Sequence, residues 1–153
     1  MIGINLYKAP PYLLEKINAI CSLLRKGKKE YELAATTITD KDMCRSMLSL
    51  AQESNQYACE LSSQIHALGG TPEIEKIDDT VIADEIKNLN GEQEIITLCE
   101  KNEKKMISAY REILNESFLY EGLRKIIRYQ LNEMLCAYMQ VKQIRYLKFH
   151  YKG

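Results

Sequence analysis

Apolar residues in this chain recur at alternating steps of three and four, the spacing that keeps side chains on one face of an α-helix. The first stripe is Leu13, Ile17, Ile20, Leu24, Gly27, Tyr31, Ala34, Ile38, and the second is Cys44, Met47, Ala51, Ser54, Ala58, Leu61, Ile65, Leu68. A third follows as Ile96, Cys99, Glu103, Met106, Tyr110, Ile113, and a fourth as Leu123, Ile127, Gln130, Met134, Ala137, Val141, Ile144. No segment alternates strictly between apolar and polar residues, as a half-buried strand would. The pattern predicts an all-α fold.

Punctuation sets the helix ends. Pro10-Pro11 precedes the first stripe, where proline is tolerated in the first turn. Thr39 and Asp40 supply N-cap oxygens for the second helix, and Gly69-Gly70-Thr71-Pro72 stops it. Periodicity then lapses from Thr71 to Gly91, except for a short amphipathic piece at about Thr80 to Leu89. Asn90 and Gly91 precede the third helix, which runs to about Leu114, and after a brief turn at Asn115-Glu116-Ser117 the fourth continues to about Leu147. Connections of a few residues make helices one and two an antiparallel hairpin, and likewise three and four. The roughly twenty residues between the hairpins suit a crossover, since a helix of about 25 residues is about 37 Å long. Two hairpins joined by one long crossover is the connectivity of ferritin-like four-helix bundles. The expected organisation is one domain over residues 1–153, with residues 1–10 as an N-terminal appendage.

Several motifs point the same way. Tyr31-Glu32-x-Ala34 is followed by Glu60-Leu61 and Leu68-Gly69-Gly70-Thr71-Pro72, then by Cys99-Glu100-x-x-Glu103, Ala109-Tyr110, Leu114, Gln130 and Ala137. In order and spacing, from about Leu13 to Leu147, the chain resembles a bacterial ferritin-like four-helix-bundle family catalogued only as a domain of unknown function. The resemblance implies an all-α bundle with a short helix in the crossover and no established reaction. Tyr138 stands where members commonly carry His, and Lys26 and Lys29 stand where acidic residues are frequent.

Two polar residues, Glu103 and Gln130, occupy slots in otherwise apolar stripes. A buried carboxylate must be hydrogen-bonded, metal-bound or neutralised. In an antiparallel pair centred on the turn near Ser117 the two fall near one level, so Glu103 is expected to bond Gln130 or a tyrosine hydroxyl as a structural polar pair. A bridged dimetal site would need a Glu from each of two helices and Glu-x-x-His from each of the other two. The chain offers Glu30, beside its stripe, with Glu53, Glu100, Glu103 and Glu133, but its two histidines, His66 and His150, lie near helix ends. These carboxylates are weak metal candidates, and no metal or other cofactor is expected. Small residues at mid-helix slots (Gly27, Ala51, Ser54, Ala58) read either as a central ligand cavity or as interdigitation with large neighbours. A close helix approach would account for Gly27.

Composition narrows the function classes. Twenty-one basic residues balance twenty-one acidic ones, so no net field favours nucleic acid or an anionic membrane. The run Arg25-Lys26-x-Lys28-Lys29 points around the helix rather than along one face. Five cysteines without a C-x-x-C pair read as buried thiols in a reducing compartment. No apolar run reaches the ~20 residues of a membrane span, and the N-terminus makes a poor signal peptide. There is no nucleophile elbow, P-loop or dinucleotide fingerprint. The expectation is a cytoplasmic, non-enzymatic bundle acting through protein contacts as a homodimer, with Tyr57, Met43, Met139 and Tyr146 off the stripes as contact candidates. The alternatives are a degenerate metal-binding bundle of di-iron type and a small-ligand sensor.

Overall fold

The computed structural model describes residues 9–72 and 79–150. Its elements are α1 (Pro11–Thr37), α2 (Lys41–Ala67), α3 (Asp79–Lys87), α4 (Glu92–Leu114) and α5 (Glu121–His150), with no strand among the described residues. Residues 1–8 of the expected appendage lie outside that range, while Ala9 is buried and Pro10 occupies the N-cap position of α1.

The ends are built as their residues require. The Asp40 carboxylate accepts from the Met43 backbone N–H at 3.0 Å and caps α2. At the other end Gly69 adopts φ +84°, a left-handed conformation that favours glycine. Gly70 N–H donates to Ile65 C=O and Gly69 N–H to His66 C=O, a paired stop that satisfies two open carbonyls. Gly91, at φ +94°, opens α4. The α4–α5 turn is longer than the sequence suggests: α5 starts at Glu121, leaving Phe118, Leu119 and Tyr120 outside it. Leu119 is buried there, and the Arg124 guanidinium donates to the carbonyls of Leu114 and Glu116, closing the end of α4.

Each of the four long helices packs on two others, α1 on α2 and α4, and α5 on α2 and α4, while α3 lies on α1 through Ile82 and Ile86. Polar contacts give the directions. Lys16 near the start of α1 meets Glu112 and Glu116 at the end of α4, and Thr39 after α1 bonds Glu92 at the start of α4. Thus α1 and α4 are antiparallel, and the chain between α2 and α4 returns from one end of the molecule to the other. Lys148 near the end of α5 pairs with Asp40 and Asp42 beside the α1–α2 turn, and Arg145 pairs with Glu100. α5 therefore runs against both α2 and α4.

The four stripes form one core, with corrections at its edges. Met43 and Tyr57, expected off the stripes, are buried in it. On α5 the buried line passes from Met134 to Tyr138, and Ala137, Val141 and Ile144 are only half-buried. Gly27 is not explained by a close approach: a Cβ there would meet only Tyr31 Cε2, at 4.0 Å. Gly70 is the close one, since its Cβ would stand 3.0 Å from both Ile65 and Leu14.

Candidate functional site: a cavity between buried carboxyls

Midway along α1 and α4 lies a cavity of about 40 Å³ whose lining includes Gly27, Glu30, Tyr31, Asn102, Glu103 and Tyr138. The α1 residues reach it because Gly27, Glu30 and Tyr31 are separated by helical steps, and Gly27 leaves a space that a side chain would fill. Across it, Asn102 and Glu103 project from the facing turn of α4.

Glu103 is 8% exposed, and its Oε1 accepts the Tyr31 hydroxyl at 2.7 Å. Burial raises its carboxyl to about 7 against the pull of that hydrogen bond, with the nearby Glu100 adding to the rise. Glu30 is 2% exposed, although the stripe places it beside the apolar face. The Asn102 amide donates to its Oε2, while its Oε1 is buried without a hydrogen-bond partner among the described residues. Lys26 Nζ stands 3.9 Å from that oxygen, beyond hydrogen-bond reach. Burial raises Glu30 to about 7 as well, with Lys26 opposing the shift and Glu85 reinforcing it. Burial also pushes the Tyr31 and Tyr138 hydroxyls and the Cys99 thiol upward, so all three are neutral at ordinary pH.

Gln130, wholly buried, belongs to a second network. Its Oε1 accepts the Tyr110 hydroxyl at 2.7 Å and its amide reaches the Tyr57 carbonyl at 3.4 Å. Glu103 and Gln130 therefore each take a different tyrosine. The antiparallel register does bring Gln130 level with Tyr110, about two turns from Glu103 along α4.

The other carboxylates are dispersed. Glu100 is held by Arg145. Glu53 on α2 faces Glu133 on α5, and burial followed by that like charge raises its carboxyl. Only Glu30 and Glu103 of the five candidates line the cavity. Among the described residues no group of three or more His, Cys, Asp or Glu side chains is placed to hold a metal ion. The basic run is partly engaged locally, Arg25 by Ser62 and Lys28 by Glu32, while Lys26 stands near Glu30 without bonding it. The sequence signal for Glu30 was available, because the step of three from Gly27 lands on it as the step of four lands on Tyr31. Asn102 carried none.

Residues 13–116 match the model of a family described as Domain of unknown function (DUF2383). The chain belongs to that family. The match contains Glu30 and Glu103, the two carboxyls of the cavity in this DUF2383 protein, but it stops short of α5, with Gln130 and Tyr138. No curated protein matches the chain in sequence. No helix among the described residues is long and apolar enough to cross a membrane.

Proposed function

We propose that this DUF2383 protein is a non-enzymatic bacterial bundle of ferritin-like connectivity that works in the cytoplasm through protein contact, pairing with a second copy of itself. The observation that carries the reading is the outer face of α5, where Tyr129, Met139 and Leu147 are each at least 60% exposed. Beside them a groove of about 300 Å³ runs between α4 and α5, lined by Ile107, Leu135, Tyr138 and Met139 among others. Large exposed apolar side chains gathered on one face are characteristic of contact surfaces.

A second copy suits this face because its outer stripe is self-complementary. Tyr129, Glu133, Cys136, Gln140, Gln143 and Leu147 are all exposed and follow helical spacing. Two α5 helices crossing antiparallel near Tyr138 set Tyr129 of one against Leu147 of the other, and Glu133 against Gln143. A two-fold contact requires that kind of self-matching. Of the four contact candidates named from sequence, Met139 and Tyr146 are exposed on the flank of this stripe, whereas Met43 and Tyr57 belong to the core. The ferritin-like assignment draws support from the crossover, which carries the chain back to the α1–α2 turn before α4 begins.

The two alternatives have less behind them. A cavity of about 40 Å³ has room for little more than a water molecule, so it does not favour an organic ligand. Two carboxyls without a third grouped ligand among the described residues do not favour a metal centre. Sedimentation equilibrium at micromolar concentration tests the proposal: the native chain is expected to weigh as a dimer and the double variant Met139→Lys, Leu147→Lys as a folded monomer. A native monomer would overturn it.

A further inference from the structure

We infer that Glu30 and Glu103 form a buried proton-binding pair around the α1–α4 cavity, neutral in the packed bundle, whose ionisation loosens the contact between these helices. The inference concerns the inside of the molecule and is independent of the proposed dimer.

The geometry comes first. Each carboxyl has a neutral donor, Tyr31 for Glu103 and Asn102 for Glu30, and Glu30 Oε1 has none among the described residues. An ionised carboxylate in such a place lacks the donors that water would give it, whereas a protonated one needs only an acceptor for its O–H. The cavity can hold a water able to serve as that acceptor. Lys26, nearly half exposed, lines the same cavity, so the cavity reaches towards the surface and protons can exchange with water.

The facing charges do not settle either anion in place. Glu30 faces Lys26 on its own helix, Lys105 and Asn102 on α4 and Glu85 on α3. Glu103 faces Glu100 and Cys99 on α4, Tyr31 on α1, and Lys142 and Tyr138 on α5. Lys26 is nearly half exposed and would have to turn inward to bond Glu30. When the two protons leave to water, the anions need more donors than the single water the cavity admits, and drawing in further solvent requires α1 and α4 to part locally. Both carboxyls titrate at about 7, so this change falls in the neutral range.

Two measurements on the full chain test this. Carboxyl-carbon NMR of glutamate-labelled protein should show two side chains titrating near 7 rather than near the ordinary 4.5. Hydrogen exchange, corrected for intrinsic rates, should show α1 and α4 amides beside the cavity opening about tenfold more readily at pH 8 than at pH 6. The double variant Glu30→Gln, Glu103→Gln should lose that pH dependence. If it does not fold, the single variants Glu30→Gln and Glu103→Gln should each delete one of the two raised titrations. Ordinary midpoints for both glutamates, or an unchanged pH dependence of exchange in the glutamine variants, would overturn the inference.

Discussion

The polar residues of the core act as two separate networks, and each makes its own prediction. Gln130 is fully buried and takes the Tyr110 hydroxyl, so Tyr110→Phe deprives a buried acceptor of its donor. We expect a loss of about 1–3 kcal/mol in urea unfolding, the usual cost of an unsatisfied buried polar group. Glu30 and Glu103 make stability depend on pH in a defined direction. Their folded values lie near 7 and the reference value is 4.5, so the folded chain holds these protons more tightly than the unfolded chain does. Stability should therefore be greatest below about 4.5 as far as these groups are concerned, decline as pH rises to about 7, and level off above that. The decline is of order 3 kcal/mol for each group as an upper bound. Urea midpoints at pH 5 and pH 8 check it, and Glu103→Gln should reduce the difference.

At the scale of elements, two glycines have opposite roles. Gly27 sits inside α1 with open space beyond it, and an added methyl would make only ordinary contact with Tyr31. Gly27→Ala is expected to stabilise the protein by about 1 kcal/mol, the helix-propensity difference. Gly69 ends α2 at φ +84°, where a side chain is strained even though space is free. Gly69→Ala should destabilise by about 1–2 kcal/mol. Thermal unfolding of both variants beside the parent checks the signs. The two substitutions insert the same methyl group, so a difference in sign isolates backbone conformation from packing.

For the whole molecule, the decisive element is α5. The family match ends at residue 116, yet Leu123, Ile127, Gln130, Leu131, Met134 and Tyr138 of α5 close the core over α2 and α4. A chain truncated after Glu116 would expose Met106, Tyr110 and Ile113 to water, each of which is at most 5% exposed in the full protein. Full burial of such side chains is worth about 1.5–3 kcal/mol apiece, comparable with much of a domain's net stability. We expect residues 1–116 to show no cooperative thermal transition by circular dichroism, in contrast to the full chain. The outer face of the same helix is the one assigned to the proposed dimer, so α5 would serve the core with one side and a second copy with the other.

Helix number, approximate helix ends and fold class were readable from the chain because they depend on local chemistry: a three-four apolar step, an Asp cap at Asp40, and glycines at Gly69 and Gly91 that permit positive φ. The short helix in the crossover, expected at about Thr80 to Leu89 and found at Asp79–Lys87, was readable for the same reason. Burial of Glu103 and Gln130 also followed from their slots in the stripes. A tyrosine hydroxyl was one of the two partners expected for Glu103. Which tyrosine, and the partner of Gln130, were not readable, because a hydrogen bond depends on which helices are neighbours and on how their turns are staggered. Only the packing of α1 against α4 brings Tyr31 to Glu103 and Asn102 to Glu30, and only α5 against α4 brings Tyr110 to Gln130. Glu30 shows the limit most clearly. Periodicity alone places it at the edge of a stripe, and the closeness of a second helix turns that edge into the wall of a buried cavity.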